Sequence, residues 1–471
     1  MDREAQRRRD AQDLGGFGYA QQLLRDMGGF ANFAVAFTVI SVLTGAITLY
    51  GQGLAAAGPA VNGIGWPIVT LMTLAVAASM SEIASKIPTA GAMYHWSSLL
   101  GGPGWGWFTA WFNFVGQVAT TAGIDFGIAQ FSCDLMGWHG AAPLLILYAA
   151  LLVTHGLINH YGIHLVALIN DVSVWYHVAV TVAVIVAFRV FAPHQPLSYA
   201  FTTRYSTLGY PYWWAFMLGL LQAQWTLTGY DASAHVTEET LDPRRNAPWG
   251  LFNAVWISGV VGYALLLAVT LGIQDLPTAA GAANPFIAVA ERALGAGFGR
   301  GLTWAILPAM WFCGLSSVTT NARMIYAFSR DGGLPGSGVW RRVDARRRTP
   351  VQAIWLAVGL AFLIGLYTKA FTVIVTLSTI GLYVSYVIPV ALVLRERARG
   401  RWKNLGPWNM GSWGGLVNAI AVLWTAFITV LFVAPPNQLT GYTFAGLLAF
   451  LLVYYFGFAR KNFEGPKLKA I

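Results

Sequence analysis

The chain has 471 residues, of which 56% are apolar and only 10% charged. A soluble fold of that length would expose far too much apolar surface, so the composition predicts an all-α integral membrane protein. The formal net charge of +10 invites a nucleic-acid reading, which the loop-confined distribution of the basic residues excludes.

In chain order, stretches able to cross a hydrocarbon core of about 30 Å fall at 30–57, 64–85, 105–135, 141–159, 163–192, 210–236, 248–273, 300–329, 351–367, 371–394, 413–433 and 440–459, about twelve spans. A polar tail over 1–27 precedes a core over 28–400, followed by two further spans within 401–460 and a tail over 461–471. The first apolar stretch is too long for a cleaved signal sequence. Basic residues gather in alternate loops: Arg7 to Arg9, Arg244 and Arg245, Arg341 to Arg348, Arg395 to Lys403, and Arg460 to Lys469. The other side keeps Arg204, Arg292, Arg300 and Lys369. This asymmetry predicts both termini in the cytoplasm, in a bacterial inner (plasma) membrane, with anionic lipid as the partner of the basic loops.

The phrase Leu-Thr-Gly occurs at Leu43-Thr44-Gly45 and again at Leu227-Thr228-Gly229, each inside a long apolar run. Helix interruptions at membrane depth are tolerated where the freed backbone lines a polar cavity, and paired interruptions in two halves point to a secondary transporter. Close helix packing by small residues is the plainer explanation of the same residues. Asp125 follows Gln117 and Thr121 at helical spacing, forming one polar stripe. An intramembrane carboxylate marks a ligand or ion path, or else makes a structural hydrogen bond to a neighbouring helix. Cys133 and Cys313 read as core packing. The glycine-rich stretches at 101–106 and 295–301 lack phosphate-loop spacing and read as turns. His155, His160 and His164 cluster near a turn at Gly162. Their spacing does not place them on one face, so a solvated or interfacial role is expected rather than a metal site. No motif implies a cofactor or an enzyme.

Several segments resemble the amino acid–polyamine–organocation superfamily. Met80 to Tyr94, with Pro88-Thr89-Ala90-Gly91, is similar to its signature after the second helix. Asn321 to Pro335 is similar to the end of its eighth helix. Trp225 to Glu239 resembles its broken sixth helix, and Glu238-Glu239 with Asp242 to Pro248 is closest to the branch that carries amino acids, choline and γ-aminobutyrate. The resemblance covers the first ten spans and implies two inverted five-helix repeats with broken first and sixth helices. One departure is Leu43, where the family's first break commonly has glycine; leucine favours helix, while Gly45 keeps one permissive position.

What the resemblance implies is a permease importing an amino acid or amine such as γ-aminobutyrate. Amides near Thr44, Gly45 and Ala46 would hold a carboxylate, and carbonyls near Ser41 and from Trp225 to Thr228 an amine. Gly229 permits the second break, and Asp125 would suit a ligand with a separated positive charge. Trp225 matches a gating tryptophan able to cap an amine, Asp231 a gating or proton-sensing acid, and Tyr94 a tyrosine of the cytoplasmic closure. His177 falls where relatives carry a lysine that stands in for sodium, which implies proton coupling. Ser316 and Ser317 leave a sodium site open, and an exchanger of choline or polyamine and a non-transporting nutrient receptor are the remaining alternatives.

Overall fold

The computed structural model describes residues 3–366 and 371–466. Lys369, Lys467 and Lys469 therefore lie outside the described residues. The polar N-terminal segment begins with helix α1 (Arg3–Gly16), and the first membrane span follows in two pieces, α2 (Gly29–Ile40) and α3 (Val42–Thr48). Then come α4 (Tyr50–Ala57), α5 (Trp66–Lys86), α6 (Met93–Gly101), α7 (Pro103–Met136), α8 (Ala141–Tyr161) and α9 (Ile163–Phe191). A short α10 (Tyr199–Thr202) leads into a second interrupted span, α11 (Tyr212–Gly219), α12 (Leu221–Thr226) and α13 (Ala232–His235). After it run α14 (Pro243–Leu271), the three short helices α15 (Leu276–Gly281), α16 (Pro285–Leu294) and α17 (Ala296–Trp304), and α18 (Leu307–Arg330). The chain closes with α19 (Ser337–Trp340), α20 (Val351–Gly365), α21 (Phe371–Ala398), α22 (Gly414–Val433), α23 (Gln438–Tyr454) and α24 (Arg460–Asn462).

Nine described stretches are long and apolar enough to cross a membrane. The long α7, the shorter apolar α20 and the broken α11–α13 complete the set expected from the sequence. Each broken span is followed by four further crossings: α5, α7, α8 and α9 after the first, and α14, α18, α20 and α21 after the second. Helix α7 packs on α18 and α21, and α2 on α9, α14 and α18. The two interruptions are thereby enclosed by other helices, where irregular backbone can survive.

The first interruption lies earlier than the phrase Leu43-Thr44-Gly45 suggests. Ser41 adopts φ 31° and ψ 88°, and the helix resumes at Val42 because the Ser41 hydroxyl accepts the amide of Thr44. Serine is among the best residues for such a cap, and Leu43 continues the helix it starts. The second interruption falls where the sequence places it. Gly229 takes φ +87°, a conformation glycine adopts without a Cβ penalty.

The polar N-terminal segment is also structured. Asp10 and Leu14 of α1 are buried, the Asp10 carboxylate accepts the amide of Asp242 at 3.0 Å, and the amide of Met27 donates to the carbonyl of Glu239 at 2.9 Å. At this end of the bundle Arg330 of α18 lies over the Tyr19 ring and Arg244 of α14 pairs with Asp13, while the basic ends of α5 and α21 meet through Lys86 on the carbonyl of Lys403 and Arg397 on Glu82. Arg300, by contrast, donates to the carbonyl of Leu135 at the far end of α7.

Candidate functional site

The two interrupted spans pack on each other reciprocally. Gly45 of α3 lies so close to α12 that a Cβ there would stand 2.7 Å from the Cα of Thr226. A Cβ at Gly229 would in turn overlap Val39 of α2. Each repeated glycine is therefore the point at which one break admits the other. The freed carbonyl groups are met locally: Thr226 and Thr228 hydroxyls donate to the carbonyls of Gln222 and Trp225, both at 2.6 Å, and the Tyr383 hydroxyl donates to Leu227 at 3.1 Å.

Between the breaks, Val39, Thr44, Gly45, Trp225, Thr228 and Cys313 line a cavity of about 10 Å³. That is room for about one water molecule, so the site is closed. Ile40, Thr226 and, from α7, Thr120 and Ile124 complete its wall. Ala46 is buried beside it, its carbonyl accepting from Gln222 at 3.2 Å. The amides of Thr44 and Gly45 are bonded to the carbonyl of Ser41, at 2.8 and 2.9 Å, so both are engaged in this closed state. Trp225 sits across α7 with its indole N–H on the Ser378 hydroxyl at 3.1 Å. A larger cavity of about 580 Å³ opens beyond α3, lined in part by Ile47, Gln52, Gln130, Asp134 and Asn284.

His177 of α9 is buried against the first break. Its Nδ1 lies 2.8 Å from the Ser173 carbonyl, an oxygen that only accepts, so Nδ1 carries a hydrogen. Its Nε2 lies 2.8 Å from the Ser41 hydroxyl, which is itself 2.7 Å from the Thr44 hydroxyl. Ser316 and Ser317 turn to different helices. Ser316 bonds to Asn170 of α9, and Ser317 meets Thr121 of α7 at 2.9 Å.

The polar stripe of α7 is divided among three partners. Gln117 donates to Asp231 at 2.8 Å, Thr121 meets Ser317, and Asp125 lies 3.2 Å from Nδ1 of His155 on α8. Asp125 is fully buried and is not among the residues lining the cavity between the breaks. The expectation of a solvated or interfacial histidine cluster is corrected for His155, which has no exposed surface. The reason is tertiary: His155, already inside the expected span, turns its ring onto Asp125 of α7 and against Gly314 of α18. His160 accepts from the Trp355 indole at 3.2 Å, and His164 is exposed beside Asp26. Among the described residues no group of three metal-ligating side chains occurs.

Asp231, two residues after Gly229, is fully buried and heavily partnered. It accepts from Tyr386 at 2.7 Å and from Asn113 at 3.2 Å, and Nε2 of His235 stands 3.2 Å away. Beyond it lies a layer of buried ion pairs and hydrogen bonds, of which the sequence had singled out only Tyr94. Arg330 pairs bidentately with Glu238 at 2.9 and 3.0 Å, and Arg323 with Glu239 at 3.1 Å on both arms. The two arginines stand seven apart, two turns along one face of α18, and that spacing beside consecutive glutamates was the available signal. Tyr19 of the N-terminal segment donates to Asp331 at 2.8 Å with Arg330 over its ring at 3.9 Å. Tyr94 donates to the same carboxylate at 3.1 Å.

Residues 30–458 match the family model described as "Amino acid permease". The chain is similar to the amino-acid permease BAT1 of Arabidopsis thaliana, 36% identical with 95% of this chain and 94% of the relative aligned. Its homolog from Oryza sativa subsp. japonica is also 36% identical over the same shares. Amino-acid permease 2 of Neurospora crassa is 28% identical, with 96% of this chain and 88% of the relative aligned.

Proposed function

This chain belongs to the amino acid permease family, and from that premise we propose that it imports a zwitterionic amino acid, an α- or γ-amino acid such as γ-aminobutyrate, together with protons. It is a multi-pass membrane transporter of amino acids rather than an enzyme. The observation that carries the finer reading is the reciprocal contact of the two breaks around Gly45 and Gly229, with His177 bonded to the residue at which the first break occurs.

The cavity walls present no charged side chain, so both charges of a zwitterion would be met by backbone and hydroxyl groups, as a broken helix permits. The separation of Asp125 from this cavity favours a zwitterion over choline or a polyamine. Trp225 closes one side with a rigid ring that can lie against an amine. Ser316 and Ser317 bond to separate helices, which favours protons over sodium. The clustering of basic loops at one end supports cytoplasmic termini. The curated relatives described above are eukaryotic, and a bacterial inner membrane remains part of the proposal.

The coupling follows from donors and acceptors. With His177 neutral, Nε2 can only accept, so the Ser41 hydroxyl donates to it and Thr44 donates to Ser41. With His177 protonated, Nε2–H donates to Ser41, whose hydrogen must turn to Thr44. The Thr44 hydroxyl, which lines the cavity, is then free to donate to a substrate carboxylate. A proton on His177 and an anion at the break thus favour each other. In sealed proteoliposomes, a panel of α-amino acids, γ-amino acids and amines competing against labelled γ-aminobutyrate and labelled alanine tests the substrate class. Zwitterions should compete more strongly at low pH, and His177→Ala should remove that pH dependence. Competition by choline and polyamines alone, or an unchanged pH dependence in His177→Ala, would overturn this reading.

A further inference from the structure

We infer that Asp125 and His155 form a second proton-binding site, one helix behind the substrate cavity, whose occupancy changes during the transport cycle. This inference rests on the proton-coupled reading above. The two side chains join α7 to α8 with no exposed surface on either. Nδ1 of His155 lies 3.2 Å from one carboxylate oxygen and 3.4 Å from the other. The Asp125 Oδ1, although it is the oxygen nearer Nδ1, is not aligned to accept from it, and the His155 Nε2 has no hydrogen-bonding partner. A buried pair that serves only to tie helices together normally has its polar atoms satisfied, because each orphan costs about 1–3 kcal/mol. Here each member keeps one open position at which a proton can be added.

The site is also built to admit the pair. Gly314 of α18 faces both groups, and a Cβ there would overlap Asp125 and the His155 ring. The neighbouring residue, Cys313, lines the substrate cavity, and its thiol meets the carbonyl of Val39 on α2 at 3.2 Å. Only the turn of α18 at Cys313 and Gly314 therefore separates the pair from the first break. A movement of α2 away from Cys313 would bring water toward Asp125.

The other titratable side chains facing Asp125 are neutral in ordinary conditions: Tyr148 of α8 and Cys313 of α18. Helices α3 and α20 contribute no titratable group, and Tyr383 and Tyr386 of α21 turn toward Leu227 and Asp231. With one shared proton beyond the Nδ1 hydrogen the pair is net neutral, either as carboxyl with neutral imidazole or as carboxylate with imidazolium. Without it the pair is carboxylate with Nδ1–H imidazole and bears one negative charge. Neither member has exposed surface, so the proton exchanges with water only when a conformational step hydrates the pair. A proton taken from one side is then released to the other, and no co-reactant is required.

The test follows labelled amino acid uptake and lumenal acidification together, using a pH-sensitive dye sealed inside proteoliposomes. The wild type should acidify the lumen as it takes up substrate. Asp125→Asn should lower the acidification per transported molecule to the share carried by His177, while retaining exchange of internal for external substrate. His155→Gln should retain exchange and shift the external pH of half-maximal uptake. If the wild type acidifies and both variants keep its ratio and pH midpoint, the second site is overturned while proton coupling stands. If the wild type accumulates substrate without acidification, the coupling reading fails and the inference fails with it. Should Asp125→Asn not fold, His155→Gln decides by the same two readouts.

Discussion

Replacing Gly45 with alanine probes the contact between the breaks. The added Cβ would stand 2.7 Å from the Cα and Oγ1 of Thr226 and 2.8 Å from its Cβ. Carbon atoms rest at about 3.5–4.0 Å, so the deficit is about 1 Å and falls on backbone that cannot rotate away. Overpacking of this kind costs about 1–3 kcal/mol. Alanine recovers about 0.5–1 kcal/mol because Gly45 is helical within α3. The expected net loss of stability is therefore modest, while α3 and α12 move apart at the proposed substrate site. A displacement near 1 Å at such a site can lower function about 100-fold. Gly359→Ala in α20 is the control, since nothing lies within 4 Å of its added Cβ, and it should leave uptake intact with stability unchanged or raised by about 0.4–1 kcal/mol. Thermal unfolding in detergent and initial-rate uptake in proteoliposomes would be measured for both. Wild-type uptake by a Gly45→Ala protein as stable as Gly359→Ala would refute the claim that the breaks meet at this position.

Three further substitutions probe separate parts of the account. Thr44→Val removes the hydroxyl offered to the substrate carboxylate, so affinity at low pH should fall by about 1.5–3 kcal/mol, the range for a hydrogen bond to a charged group; equal affinities in a binding assay would exclude Thr44 from the relay. Arg323→Met strands Glu239, and both are fully buried, so unfolding free energy should drop by about 3–5 kcal/mol; a change within measurement error would show that the pair is replaceable. Tyr19→Ala removes the hydroxyl on Asp331 and the ring beneath Arg330, and, in a protein whose Cys133 and Cys313 are both replaced by alanine, should raise the reactivity of a cysteine introduced at Thr228 toward a thiol reagent added from the N-terminal side; unchanged labelling would show that this segment does not cover the site.

Much of this architecture is visible in the residue pattern. The second break could be placed at Gly229 because a positive φ there calls for glycine. The first was displaced because side-chain chemistry outweighed the repeated phrase: Ser41 supplies a cap three residues before Thr44, and Leu43 prolongs the helix that follows. The partner of Asp125 was hidden for a different reason. Helical spacing puts Gln117, Thr121 and Asp125 on one face, but only the arrangement of α8 and α18 decides that they bond to three different neighbours. The assignment of His155 turned on which helices pack against that face of α8, and local spacing does not determine this. The N-terminal segment was legible as polar and arginine-bearing, yet its order comes from distant groups, Glu239, Asp242 and Asp331, that no local pattern connects to it.

Concentrative uptake in sealed proteoliposomes tests the central claim most directly. With an inward proton gradient and no sodium, the wild type should accumulate a labelled zwitterionic amino acid above its external concentration. A protonophore should abolish that accumulation, and His177→Ala should lose it while keeping exchange. Accumulation that ignores the proton gradient and appears only with sodium would contradict the account, and so would binding without any flux.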